Sequence, residues 1–215
     1  MALQKLIVAG DETRLSDFFY KPIPERFNVV IINSPTELSG HSDATGVFIL
    51  TDHPLDFFPL PPALQNIPVF VNAINQNFTP DHSGACLVRI NAWPGFLRYP
   101  LLEISSPVTD ITEAEKLLDQ LQWPFRKVAD QPGMLTPRVI AMIINEACLT
   151  VQENVSTKEQ IDIAMRLGTN YPLGPFEWAK KIGAGNIFSL LTTLSTTDHR
   201  YIPATEMLKI LQSPS

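Results

Sequence analysis

Five short apolar runs punctuate the first hundred residues: Leu6–Ala9, Val29–Ile32, Val47–Leu50, Val69–Val71 and Cys86–Ile90, each bounded by turn formers. None of them alternates apolar with polar residues. A strand with one wet face alternates, so runs without alternation predict strands buried on both faces, as in a parallel sheet. Parallel strands need crossovers of about a dozen residues or more. The first interval leaves room for a short helix from Glu12 to Phe19. Between Leu50 and Val69, by contrast, Pro54, Pro59, Pro61 and Pro62 argue against a helix, because proline lacks the amide donor and clashes with the preceding turn. The expectation is a reduced α/β domain over residues 1–107, in which at least one crossover helix has become loop.

After Pro107 the period changes to that of helices. Thr112 and Glu115 read as a capping box, and Ala114, Leu117, Leu118 and Leu121 follow at helical spacing. From near Thr136 to near Asn154, Ile140, Ile143, Ile144, Ala147, Cys148 and Val151 form a complete helical stripe, which Val139 and Met142 widen. An arc that broad predicts cover on two sides. Ser156 and Glu159 read as a second capping box, Gly168 as a left-handed cap, and Pro175 and Gly183 as the start and close of a further helix. Gly183-Ala184-Gly185 reads as a C-cap and loop, and a last helix is expected over Ala204 to Gln212. Residues 108–215 are therefore expected to form an all-α domain.

Composition narrows the partners. The 215 residues are 45% hydrophobic and 18% charged, ordinary for a folded chain with a sizeable core. A net charge of -6 leaves no basic surface, so nucleic acid is excluded as an expected partner. No run approaches the ~18 apolar residues that span a bilayer. The apolar N-terminal stretch is too short for a signal peptide and ends at Asp11 and Glu12, so a cytoplasmic protein without membrane contact is expected. Cys86 and Cys148, far apart in apolar runs, read as buried inert thiols. His41, His53, His82 and His199 fall in predicted loops without ligand spacing, so no metal site is expected. Asp52-His53 and Asp81-His82 could each orient an imidazole, yet no nucleophile motif accompanies them.

From Asp130 the chain reads Asp-Gln-Pro-Gly-Met-Leu-Thr-Pro-Arg, then Ile-Asn-Glu-Ala (Ile144 to Ala147), Ile-Asp-x-Ala-Met (Ile161 to Met165) and Gly-Thr-Asn-Tyr-Pro-Leu-Gly-Pro-Phe-Glu (Gly168 to Glu177). That ordered series resembles the C-terminal helical domain of the 3-hydroxyacyl-CoA dehydrogenase family. The resemblance implies a Rossmann domain that binds NAD, and a helical domain that closes over an acyl-CoA substrate and forms a dimer. The nucleotide site of such a family needs Gly-x-Gly-x-x-Gly after the first strand, so that backbone approaches the pyrophosphate at a helix N-terminus. Here that stretch is Val8-Ala9-Gly10-Asp11-Glu12-Thr13-Arg14, with one glycine and two carboxylates. No NAD site is therefore expected, and no other cofactor. The family's histidine falls on Asn91, counting back without a gap from Glu103, which matches the orienting glutamate. The family's asparagine falls on Pro137, and its serine near Ile74 if Asn72 is in register. Glu103 is the one catalytic match, and it is equally a carboxylate that pairs with Arg98 or Arg89.

These readings predict a divergent relative without NAD-dependent dehydrogenase activity, a homodimer through the 136–154 helix, with an acyl-CoA-like molecule held in the cleft between its domains. The alternatives are an active oxidoreductase with a relocated site and a non-catalytic dimeric scaffold.

Overall fold

A computed structural model of the chain describes residues 3–75 and 86–212. The chain divides into two compact units, Met1–Met134 and Leu135–Ser215.

The first unit is a seven-stranded sheet built from β1 (Gln4–Ala9), β2 (Phe27–Ile32), β3 (Ala44–Ile49), β4 (Pro68–Asn72), β5 (Cys86–Ile90), β6 (Leu102–Ser105) and β7 (Phe125–Lys127), in the order β2-β1-β3-β4-β5-β6-β7. All neighbours are parallel except β5 and β6. The five apolar runs mark β1 to β5; β1, β3, β4 and β5 are covered on both faces, whereas β2, at the edge of the sheet, leaves Ile31 44% exposed. On one face Leu6, Val8, Phe48, Phe70 and Val88 pack with Phe18 of α1 (Glu12–Tyr20) and Leu118 and Leu121 of α2 (Thr112–Leu121). On the other face, Ile7, Val47, Ile49, Val69 and Val71 meet Leu38, Phe57, Leu60 and Leu64. The last four lie in or beside 3-10 turns at Pro35–Gly40, Pro54–Phe57 and Pro62–Leu64, so turns and loops replace the crossover helices that the prolines forbid. Gly46 lets α2 lie on the sheet, since a Cβ there would sit 2.4 Å from Leu117 Cδ2.

The division falls after Met134 and not at the change of pattern near Pro107. The reason is that α2 packs on β4 and β5, and β7 extends the sheet beside β6. Nor does Thr112 cap α2: it is the first helical residue, and Asp110 Oδ1 accepts from its amide at 3.0 Å.

The second unit holds α3 (Thr136–Gln152), α4 (Lys158–Thr169), α5 (Pro175–Ile182), α6 (Ala184–Ser195) and α7 (Thr205–Gln212). Side chains of the family-like motifs make its joints. Asn145, buried in α3, donates to Ile202 O at 3.0 Å and accepts from Ala204 N at 2.8 Å, which fixes the approach to α7. Asp162 of α4 caps α5, accepting from Phe176 N at 2.8 Å and Glu177 N at 3.2 Å. Glu177 accepts from Gly174 N at 2.8 Å. A Cβ on Gly174 would lie 2.5 Å from Asp162 Cα, so glycine is what lets α4 and α5 meet.

Three local expectations are corrected here. The left-handed residue closing α4 is Asn170 (φ 57), and Gly168 is helical, because asparagine supplies the cap and the helix runs on to Thr169. The N-cap of α4 is Thr157, whose hydroxyl accepts from Gln160 N, not Ser156. Gly183 ends α5 and at once begins α6, so Gly183-Ala184-Gly185 joins two helices and is not a loop.

Candidate functional site

In an open α/β sheet a ligand is expected beyond the carboxyl ends of the strands, where the strand order reverses. Here that point lies between β1 and β3, since β1 has β2 on its other side. The two strand ends are drawn together: Leu50 N donates to Ala9 O at 2.7 Å, and a Cβ on Gly10 would lie 3.3 Å from Leu50 Cβ.

The N-terminus of α1 opens onto this point, and its orphan amides and positive end would favour an anion. The chain supplies its own. Asp11 is the N-cap residue and accepts from Arg14 N at 2.9 Å. The Arg14 side chain, only 4% exposed, turns back over the strand ends and pairs with both Asp11 and Asp52, while its Nε donates to Ala92 O at 3.2 Å. One guanidinium therefore laces together the segments that follow β1, β3 and β5. Burial pushes the Asp11 carboxyl up, but the amide and charge of Arg14 outweigh it and hold the group below its ordinary value. Asp11, Asp52 and Arg14 sum to one negative charge, and Glu12 adds another. A diphosphate would meet repulsion at an amide cluster already occupied.

The neighbouring strand ends are closed in the same way. Asn72 donates to Thr51 O and accepts from Ala92 N, both at 3.2 Å. Arg89 of β5, fully buried, pairs with Asp130 and donates to Ala73 O at 2.8 Å and Ile74 O at 3.2 Å. Burial lowers the Arg89 pKa, and Asp130 opposes that effect.

The antiparallel register pairs Arg89 with Ser105 and Ile90 with Ile104, and Asn91 and Glu103 are the next residues beyond these pairs. Asn91 is buried and accepts from Trp93 N at 3.2 Å. An amide does not titrate near neutrality, so this pair cannot exchange a proton as an imidazole and carboxylate would. Glu103 is half-buried, with Arg126 of β7 as its register partner on the other side. Of the two arginines considered for it, Arg98 pairs with Asp17 and Arg89 with Asp130. Ile74 and Pro137 are buried and bring no side-chain donor. Asp52 holds Arg14, while its neighbour His53 is exposed; His199 is exposed and His41 half-buried. Asp81 and His82 lie outside the described residues. Among the described residues no group of three or more metal-ligating side chains occurs, and no helix is long and apolar enough to cross a membrane. The arginine lacing was missed in the sequence; an acidic residue at the glycine position with an arginine three residues later was the available signal.

The helical unit carries a groove of about 620 Å³ along α3. Its floor is Met142 and Ile143 of α3 with Ile161 and Met165 of α4, and Val139 at its edge is 51% exposed. The arc is as wide as the sequence predicts, with Ala141, Ile144, Asn145 and Cys148 buried inside the unit and Val139 and Met142 turned to the groove. Burial pushes the Cys148 thiol up to about 11, and Cys86 is half-buried and also raised.

Residues 133–212 match the family model of the 3-hydroxyacyl-CoA dehydrogenase C-terminal domain. The 3-hydroxyadipyl-CoA dehydrogenase of Escherichia coli (strain K12) is 48% identical over 75 residues, which is 35% of this chain and 15% of that protein. The 3-hydroxybutyryl-CoA dehydrogenase of Bradyrhizobium diazoefficiens is 35% identical over 86 residues, 39% of this chain and 29% of that one. The chain thus spans less than a third of either relative. The crystal structure of the (S)-3-hydroxybutyryl-CoA dehydrogenase from Ralstonia eutropha superimposes with a TM-score of 0.65 at 18% identity, over 98% of this chain and 94% of that one. At that identity the likeness establishes the fold alone: a Rossmann-like α/β unit followed by a helical one.

Proposed function

We propose that this chain, whose residues 133–212 match the 3-hydroxyacyl-CoA dehydrogenase C-terminal domain, is a member of that family without NAD-dependent dehydrogenase activity. The observation that carries the reading is the Arg14 cluster. The family's cofactor is NAD, and the place for its pyrophosphate is taken by the Asp11 cap and the ion pairs to Asp11 and Asp52. The second support is Asn91, which stands at the position inferred for the family's histidine and has no proton to exchange near pH 7. Each feature alone is expected to remove most hydride transfer.

What the chain keeps is the means to assemble. Helix α4 contributes no buried residue, and Ile163 and Leu167 on it are 48% and 83% exposed. Apolar side chains left open on α4 beside the α3 groove support a homodimer through this face of the helical unit. A cytoplasmic location and retained binding of a CoA thioester belong to the same proposal.

Calorimetry with NAD and NADH tests it, together with NADH oxidation in the presence of acetoacetyl-CoA. The expected results are no saturable binding at millimolar cofactor and no turnover. A micromolar dissociation constant, or turnover abolished by Glu103→Gln, would restore the active-oxidoreductase reading. Thermal shift with CoA and acyl-CoA esters tests the ligand, since binding at ~100 times Kd stabilises by roughly 2.7 kcal/mol.

A further inference from the structure

Among the described residues no strand pairs with the outer side of β2. Its sequence, Phe-Asn-Val-Val-Ile-Ile, carries neither a charge nor a proline, the usual means by which an edge refuses a further strand. The outward backbone groups can be counted. Gln4 N donates to Arg26 O at 2.8 Å, and along a parallel ladder alternate residues turn both amide and carbonyl to the neighbour. Arg26, Asn28, Val30 and Ile32 therefore face β1, while Phe27, Val29, Ile31 and Asn33 face outward. The outward amides at the two ends are already bonded: Phe27 N donates to Pro24 O at 2.9 Å and Asn33 N to Glu37 Oε1 at 3.1 Å. Among the described residues Val29 and Ile31 are left open, and the Ile31 side chain is 44% exposed.

Two open residues, one position removed on either side of Val30, are their own complement. A twofold axis at Val30 brings in a second β2 antiparallel and sets Val29 against the partner's Ile31, and Ile31 against the partner's Val29. Both are reciprocal pairs, so every open amide meets an open carbonyl and the reverse. An axis at Val29 or Ile31 would instead set an open residue against Phe27 or Asn33, whose amides are taken, and half of each such pair would be lost. In the favoured register the exposed Ile31 also lies beside Val29 on the same face, apolar against apolar. We propose that β2 is a self-pairing edge, at which a second copy of this chain adds its β2 antiparallel with Val30 at the axis, making one continuous sheet of two α/β units. The contact lies wholly in the α/β unit, so it is independent of the helical face named above.

The test uses the full chain with single substitutions in β2. Val30→Cys is expected to give a disulfide-linked dimer with oxidised glutathione, since facing residues at a non-hydrogen-bonded position stand about 4.5 Å apart at Cα. Asn28→Cys, exposed and on the same face, is expected not to cross-link, because its own copy lies four residues along, about 13 Å away. The native chain, with Cys86 half-buried and Cys148 buried, is the uncross-linked control. Ile31→Pro removes an outward amide without touching the bonds to β1, and Ile31→Lys sets a charge on the edge. Each is expected to weaken association at least about tenfold in sedimentation, with circular dichroism unchanged. If the helical face pairs as well, these variants halve the native assembly and do not reduce it to monomers. No cross-link at residue 30, an equal one at residue 28, or sedimentation unmoved by both residue-31 variants overturns the proposal and leaves the reading of the helical face as it was.

Discussion

Replacing Arg14 by methionine removes its charge and donors while keeping most of the length of an otherwise buried side chain. The guanidinium is 4% exposed, and the Asp11 and Asp52 carboxylates are each 47% exposed. Two ion pairs to half-exposed carboxylates contribute at most about 1 kcal/mol each after solvent screening. The bond to Ala92 O contributes about 1 kcal/mol more. The variant also leaves two carboxylates facing one another with no cation between them. Together these give an expected loss of about 2–3 kcal/mol, to be measured by urea denaturation at pH 7 of the native chain and the variant. A loss under about 0.5 kcal/mol would refute the view that Arg14 is what closes the strand ends.

The same substitution carries a pH signature. Asp11 titrates below its ordinary value in the folded chain because of Arg14. A depressed carboxyl contributes stability that is fully present above its unfolded value, about 3.9, and is lost as pH falls through the folded one. Without the Arg14 guanidinium its share of that contribution disappears, while the backbone amide at position 14 still donates to Asp11, so the acid-side fall in stability becomes shallower by that share in the variant. An unchanged acid slope would mean that other carboxylates dominate it. The variant is not expected to gain NAD binding, since Asp11 still caps α1.

Two further outcomes follow from single contacts. Gly174→Ala is expected to destabilise the helical unit by about 2–4 kcal/mol, read as a lowered Tm, because overpacking and a weakened cap act together. Its backbone (φ -73) suits alanine, so no backbone strain adds to the cost of the 2.5 Å approach to Asp162 Cα. The Cys148 thiol, buried and raised to about 11, is expected to stay unmodified by a thiol reagent at pH 8 until the chain is unfolded; rapid labelling of the native chain at that residue would refute it.

Much of the architecture was legible because burial leaves a mark on composition. Strands β1, β3, β4 and β5 sit on their apolar runs since two faces are covered, β2 keeps an apolar run at an exposed edge, and the proline-rich interval became turns as the missing amides require. Strand β7 left no such mark: Phe125 is half-buried and Arg126 and Lys127 are exposed, as an edge strand allows. Helix α6 was hidden by glycines. Gly185 lies in its first turn with one neighbour, Leu211, at 4.0 Å, so the helix tolerates a residue that reads as loop. Its stripe of Ile187, Leu190, Leu191 and Leu194 is regular and outweighed that local preference.

The candidate site was legible by subtraction and illegible by construction. A missing glycine and an extra carboxylate can be counted in the chain, as can the gap-free spacing from Glu103 that puts Asn91 at the histidine position. What fills the crevice joins residues 38 and 78 positions apart, Arg14 with Asp52 and with Ala92, and no local pattern encodes such a contact. The motifs that reveal the family behave in the opposite way. Asn145, Asp162, Gly174 and Glu177 form the joints of the helical unit, so they persist for packing whether or not chemistry survives elsewhere. Kinship is therefore read from one unit and activity has to be judged in the other. There the deciding fact is a carboxylate that caps its own helix where a diphosphate would need the same amides.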